Sequence, residues 1–377
     1  MANTLTDLIP SLYQGLDIVS RELTGMIPSV TMNSEASRAA VGQNVTIPIT
    51  GAANVVDITP AMSTPEPTDQ VVTNTSMTIT KSRAAEFGIV GESIRGLNNS
   101  GAQWQTVQAG MFAQAIRKLV NEVESDLAAT YIATSRAYGA AGTTPFASNL
   151  DDTANARKIL VDNGSPDSML KMVINTTAGA KMRTLTNLTK ANEAADASLL
   201  RQGVLLDVHG FAIRESAQIK SHTKGTGASY VTDGTYSIGD TSINIDGGTG
   251  TVLAGDVVTF AGDTNKYVVA TALTGGVIVL ANNGLQAALA DGVAMTVGDS
   301  YAGNMAFDQN AIQLLTRAPA LPEEGDIAVD STFITDPRSG LTFEVRVYAG
   351  YRKVRYEVAL AWGVKNIKPE HSMLLLG

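Results

Sequence analysis

The residues of this 377-residue chain whose types and spacing could do chemistry are few. The three histidines, His209, His222 and His371, stand far apart and in no metal-ligand spacing, so each reads as structural. Gly91-Glu92-Ser93-Ile94-Arg95-Gly96 misses the G-x-S-x-G nucleophile elbow by one residue. Gly225-Thr226-Gly227 and Gly248-Thr249-Gly250 lack the third glycine of a dinucleotide fingerprint, and no G-x-x-x-x-G-K phosphate loop is present. The pairs Asp246-Gly247 and Asp291-Gly292 do not fall into a calcium-loop spacing. Asp151-Asp152 and Glu323-Glu324 have no companion motif and read as helix starts or loops. With no cysteine there is no thiol nucleophile, no disulfide and no cysteine metal site. The pattern offers no catalytic residue, no metal ligand and no cofactor-binding motif, and the expectation is a protein that is not an enzyme.

Composition excludes further classes. A net charge of −9 without any Lys/Arg run argues against a dedicated nucleic-acid binder. Met1 to Asp7 lacks the basic and apolar regions of a secretory signal, and no stretch approaches the roughly 20 apolar residues of a membrane span. The expectation is a soluble protein made in a cytosol, with no membrane partner.

What remains is architecture. The longest helical pattern runs from Ala102 to Tyr138, capped by Asn98-Asn99-Ser100 and stopped by Gly139, with Gly142 and Pro145 beyond. Its apolar residues, Trp104, Val107, Met111, Ala115, Leu119, Val123, Leu127 and Tyr131, advance mostly in steps of four. That stripe rotates along the helix instead of holding one coiled-coil seam, which suits a strut about 50 Å long that touches several elements. Gly110, costing roughly 1 kcal/mol against alanine, marks a bend or a close contact. Leu5 to Leu23 reads as an amphipathic helix weakened by Pro10 and Gly15, followed by a polar connection to Gly42. Val45, Ile47 and Ile49 alternate with polar residues, and Pro48 places that strand at an edge. A polar tip around residues 60–68 joins it to a second arm, Val71 to Lys81, which gives an extended hairpin. An isolated ribbon is marginal in water, so it should lie on its own domain or on another subunit.

Helices over Thr153–Asn163, Thr176–Leu188 and Asn192–Arg201, with strands Lys171–Asn175 and Phe211–Ser216, read as a mixed α/β layer. From Ser221 to Ser300 there is no Pro, Arg, Glu or Trp, and seven Asp face only Lys224 and Lys266. Short β patterns separated by glycine turns predict a small barrel or sandwich inserted into that layer. Strand patterns return over Asn304–Thr316, Leu341–Ala349 and Tyr351–Trp362, with a tight turn at residues 336–340. The apolar end, Met373 to Leu376, reads as packed.

The order of these pieces resembles the tailed-bacteriophage major capsid (coat) proteins of the Hong Kong 97 fold. Local stretches resemble the Salmonella short-tailed-phage coat branch, whose members carry an inserted β-domain. They are Val45-Thr46-Ile47-Pro48 with Asp57-Ile58-Thr59-Pro60, Met77-Thr78-Ile79-Thr80-Lys81-Ser82, and Ala156-Arg157-Lys158-Ile159-Leu160. Gly210-Phe211 with Glu215-Ser216, Asn304-Met305-Ala306-Phe307, and Gly340-Leu341-Thr342 with Gly350-Tyr351 continue the series. Each is weakly specific alone; their shared order over nearly the whole chain is more so.

The resemblance implies an α+β fold divided into an N-terminal arm (1–43), an extended loop (44–97), and a spine helix with peripheral domain (98–165). An axial domain in two parts (166–220 and 301–335), the inserted domain (221–300) and C-terminal peripheral strands (336–377) complete it. It implies hexameric and pentameric capsomers in an icosahedral shell, a procapsid that expands around double-stranded DNA, and a portal protein at one vertex. Contact with the packaged DNA would be weak and nonspecific, and location would be the virion after assembly in the bacterial cytoplasm. No lysine lies between Ala39 and Thr80, so no covalent crosslink of the extended loop is expected. About 40 residues precede the hairpin, which implies a separate scaffolding protein. The residues expected at the assembly interface are Val45, Ile47, Pro48, Ile49, Met77, Ile79 and Lys81. Those expected to pack the spine helix are Trp104, Val107, Gly110, Met111, Leu119, Val123 and Leu127. A secreted or tail-associated β-rich adhesin that binds glycans through residues 221–300 is the alternative reading.

Overall fold

The computed structural model describes residues 24–50, 55–60, 62, 72–99, 104–185, 188, 207–336 and 339–377. The helices expected over Leu5–Leu23 and Asn192–Arg201, and most of the polar tip near residues 60–68, lie outside the described residues. The fold is mixed α/β, with few helices set against extensive sheet.

The long strand Lys353–Asn366 organises the first sheet. Lys81–Val90 pairs along one of its edges, from Lys353↔Val90 to Trp362↔Lys81. Its other edge is shared by Thr342–Gly350 and Ile312–Pro319. Asp330–Thr335 and Thr31–Ala39 close the two ends. Thr31–Ala39 falls where the sequence predicted a polar connection. Its residues show no apolar alternation; parallel pairing with Ile312–Pro319 makes it a strand. The buried Arg317 guanidinium secures it by donating to the Asn33 carbonyl and side chain, both at 2.9 Å.

The spine helix lies across this sheet but is shorter than its apolar period suggests. It spans Trp104–Ala128, and the chain then tightens into a 3-10 turn, Ala129–Ala133. Thr130 and Thr134 return their hydroxyls to the Leu127 and Tyr131 carbonyls at 2.7 and 2.6 Å. Tyr131 therefore keeps the apolar spacing while the α-helix has already ended. At the other end Asn98 belongs to a separate short helix, Gly91–Asn99, and its Oδ1 accepts from the Trp104 N–H at 3.1 Å. Phe112, Ile116, Leu119, Val123 and Leu127 bury against Val345, Tyr356, Val358 and Trp362. Phe87, Phe112 and Tyr356 form an aromatic triplet with centroids 4.8–5.4 Å apart, a geometry that adds to simple burial.

A second hydrogen-bonded sheet runs through Ala212–Glu215, Leu170–Ile174, Tyr301–Asp308, Ser372–Leu376 and Arg136–Tyr138. The helices Asp151–Asp162 and Thr176–Met182 accompany it. Asp151 and Asp152 sit in the first turn of their helix, where carboxylates are favoured.

The strands between residues 221 and 300 gather around their own core of Tyr230, Ile243, Phe260, Tyr267, Ile278, Leu285 and Met295. They are not cut off from the body. Lys266–Thr274 pairs with Arg136–Tyr138 through Lys266↔Ala137 and Tyr267↔Arg136, which carries the second sheet into the small β unit. The three-residue strand that makes this splice was invisible in the sequence because it sits inside the apparent helix.

Candidate assembly surfaces

The β-hairpin, strands Asn44–Thr50 and Val72–Thr78, hydrogen-bonds within itself from Asn44↔Thr78 to Thr50↔Val72. It forms a two-stranded sheet of its own. Its base is nailed to the body. Met77 and Ile79 are buried against Ala39, Leu315 and Ala361, with Val45 and Ile47 half-buried beside them. Thr80 N–H donates to the Trp362 carbonyl at 3.0 Å, and Lys365 Nζ donates to Thr75 Oγ1 at 3.0 Å and the Ser76 carbonyl at 2.8 Å. Gly363 permits this close approach, because a Cβ there would lie 2.1 Å from the Thr78 carbonyl oxygen.

The seven residues expected at an interface therefore divide. Met77 and Ile79 pack against the body of the same chain, Val45 and Ile47 lie half-covered, Pro48 is exposed, and Ile49 pairs with Thr73. The apolar surface left free is farther out, at Val55, Val56 and Ile58 (98% exposed), with Val72 also open.

Lys81 ties the hairpin to the spine helix. Its ammonium donates to Asp126 Oδ1 at 2.8 Å and Glu122 Oε1 at 3.2 Å, and lies over the Trp362 ring. Trp362 Nε1–H donates to the other oxygen of Asp126 at 2.9 Å. Burial alone would lower the Lys81 pKa, but the bonds and charges of Asp126 and Glu122 outweigh it and raise it.

A second latch, absent from the sequence reading, holds the chain entering the fold. Glu124 is fully buried, and its carboxylate accepts the backbone N–H groups of Gly25 and Met26 at 2.6 Å and Ile27 at 2.9 Å. It satisfies the free donors at the start of the 3-10 turn Ile27–Ser29. The signal was available: Val120, Val123, Glu124 and Leu127 share one helix face, so this carboxylate lies inside the apolar stripe.

At the sheet's end Arg38 donates to both oxygens of buried Glu344, at 2.9 and 2.6 Å, and Arg346 Nε donates to the same group at 2.7 Å. Arg346 also pairs with Asp326, which accepts from the Tyr348 hydroxyl at 2.7 Å. Burial pushes the Glu344 carboxyl up, yet the two guanidinium groups prevail and hold it below its ordinary 4.5. A depressed carboxyl contributes stability that is complete above the unfolded value and is lost as pH falls through the folded one. Unfolding free energy should thus decline below pH 4.5, and Glu344→Gln should flatten that limb. Urea titrations across a pH series check this, and an unchanged acid limb would refute the assignment.

Where the small β unit meets the 3-10 turn that follows the long helix, His222 stands between Tyr131 OH (2.9 Å from Nδ1) and Asp256 Oδ1 (2.8 Å from Nε2). Asp256 also accepts from Gly225 and Leu253 N–H, and Tyr301 donates to the Gly255 carbonyl at 2.5 Å. All four side chains are buried, so the cluster is a joint rather than an open site. Burial raises the Tyr131 and Tyr301 hydroxyls above their usual range. His209 bonds Thr153 Oγ1 at 2.7 Å on another element. Among the described residues no group of three or more His, Asp or Glu could hold a metal ion, and no helix is long and apolar enough to cross a membrane.

Of the spine-helix residues, Leu119, Val123 and Leu127 are buried; Trp104, Val107 and Met111 are half-buried. Gly110 is exposed, and a Cβ there would meet nothing within 4 Å, so no close contact among the described residues requires it. It borders a groove with Phe87, Val107 and Met111.

No protein-family model matches the chain, and no curated protein matches it. Solved structures do. The capsid of cyanophage P-SCSP1u is 12% identical at a TM-score of 0.49, covering 92% of this chain and 86% of that one. The mature capsid of bacteriophage PhiM1 is 12% identical at 0.47, covering 94% and 87%. A virus-like particle from Pyrococcus furiosus is 11% identical at 0.43, covering 98% of each chain. By their descriptions, the solved structures to which this chain is similar include phage capsids and a virus-like particle.

Proposed function

We propose that this protein is the major capsid subunit of a tailed phage, of the Hong Kong 97 type, and that its work is self-assembly. The observation that carries this is the hairpin. A ribbon whose strands, among the described residues, pair with each other alone leaves the body and presents Val55, Val56 and Ile58 to solvent. Exposed apolar groups at the end of an anchored arm mark a surface made for another chain. The ordered resemblance of the sequence to coat proteins supplies the identity of that chain, a second copy.

On this reading residues 44–97 extend over a neighbour within a hexameric or pentameric capsomer. Residues 98–165 and 336–377 form the peripheral domain, and 166–220 with 301–335 the axial domain. Residues 221–300 are the insertion of the Salmonella-phage branch. Assembly proceeds in the bacterial cytoplasm with a separate scaffolding protein and a portal at one vertex. The procapsid then expands around double-stranded DNA. A subunit of net charge −9 touches that DNA weakly and nonspecifically.

Electron microscopy of the chain co-expressed with its scaffolding protein tests the proposal. Closed shells are expected from the natural sequence. The triple variant Val55→Ser, Val56→Ser, Ile58→Ser should give folded, unassembled subunits, because those side chains touch little of their own body. Shells from the triple variant would remove the hairpin from the mechanism. Monodisperse subunits from the natural sequence would remove the capsid reading itself.

A further inference from the structure

A cleft of about 270 Å³ opens where the body meets the small β unit. Its walls include Arg136 from the splicing strand, Asn155, Lys158 and Asp162 from the neighbouring helix, and Asn265 and Lys266 from the small unit. Three cations thus meet one carboxylate there, in a chain whose overall charge is −9.

Arg136 is only 7% exposed, and its partners are all neutral. It donates to Asn265 Oδ1 at 3.2 Å, Asn163 Oδ1 at 2.6 Å and the Ile159 carbonyl at 3.4 Å. Its Nε–H is buried with no partner. Buried guanidinium groups are ordinarily matched by a carboxylate, since an unmatched buried charge is costly. The other nearby acid, Asp263, is engaged by the Tyr267 hydroxyl and by the backbone and side-chain N–H groups of Asn265. Desolvation accordingly lowers the Arg136 pKa, against the opposing charges of Asp162, Tyr267 and Asp263. Lys158 is exposed at the rim. Lys266 donates its ammonium to the Gly139 carbonyl.

We propose that this cleft is an oxyanion site, taking a phosphate or a carboxylate among Arg136, Lys158 and Lys266. A guanidinium presents forked donors that match either group, and an ammonium adds charge without demanding geometry. An anion held there bridges the Arg136 strand and the Asn265–Lys266 segment, and so clamps the small β unit to the body. The proposal stands apart from the capsid reading: it requires only the unassembled subunit.

Thermal unfolding of the full chain, titrated with sodium phosphate and separately with sodium succinate against sodium chloride at matched ionic strength, tests it. The midpoint should rise saturably with at least one of the two anions. Lys158→Glu, at an exposed position, should raise the half-saturating concentration at least tenfold, and Asp162→Asn should lower it. A response to phosphate assigns a phosphoryl source, whereas a response to succinate alone assigns a carboxylate such as an acidic side chain. No saturable rise with either anion, or the same response from Lys158→Glu as from the natural sequence, would overturn the site.

Discussion

Glu124→Ala is expected to cost the protein about 3–9 kcal/mol of unfolding free energy, from three buried donors at roughly 1–3 kcal/mol each. The three N–H groups of Gly25, Met26 and Ile27 that now meet one carboxylate would be left without a partner. Water cannot easily replace it, because Met26 and Ile27 are themselves buried in the main core. Nor can the backbone swing aside, since Gly25 is wedged where a Cβ would come 2.5 Å from the Glu215 carbonyl oxygen. Glu124→Gln should fall between the two, as an amide oxygen still accepts while its NH2 confronts a donor. Urea unfolding of the unassembled subunit measures the loss, and amide exchange at Gly25–Ile27 locates it. A loss under about 1 kcal/mol, within the range of an ordinary surface substitution, would mean the latch is ornamental.

If the proposed assembly holds, Gly363→Val should give a chain that folds and does not assemble. Its Cβ would sit 2.1 Å from the Thr78 carbonyl oxygen and 3.3 Å from the Ile79 Cα, backbone atoms with no rotamer in which to retreat. The hairpin base must move, which draws Met77 and Ile79 out of their buried seats. Overpacking of this kind costs about 1–3 kcal/mol, which a subunit with a core this extensive should tolerate. A hairpin leaving the body at another angle cannot present its outer residues correctly. Gly110→Ala is the control, since its Cβ enters open space. Circular dichroism and electron microscopy separate fold from assembly, and normal shells from Gly363→Val would show that the hairpin's seat is immaterial.

The sequence spoke most clearly where one residue period governed a segment. Alternation placed the hairpin arms, and glycine turns placed the short strands of the small β unit. It was misleading where two structures share a period: Tyr131 continues the helical stripe although threonine hydroxyls have already ended the α-helix. It was silent where tertiary pairing alone makes the structure. Thr31–Ala39 has no β pattern and exists because Ile312–Pro319 and Arg317 receive it. The surfaces divided likewise. Val45, Ile47, Met77 and Ile79 were recognisable as apolar positions of a hairpin, but alternation cannot say whose body they cover. Glu124 could have been found as a carboxylate within an apolar face; its three backbone partners could not, because they lie nearly a hundred residues away.

The splice through Arg136–Tyr138 has a kinetic consequence. Ser135 bonds Ser372 across 237 residues of sequence, and the adjoining strands draw on three well-separated parts of the chain. The entropy of closing such loops opposes folding until the ladders begin to form, and chains dominated by distant pairings fold slowly. During that delay unpaired strand edges and apolar surface stand open to other nascent copies. A chain with this topology faces its greatest hazard of aggregation while still single and incomplete, and a folding chaperone would find its substrate there.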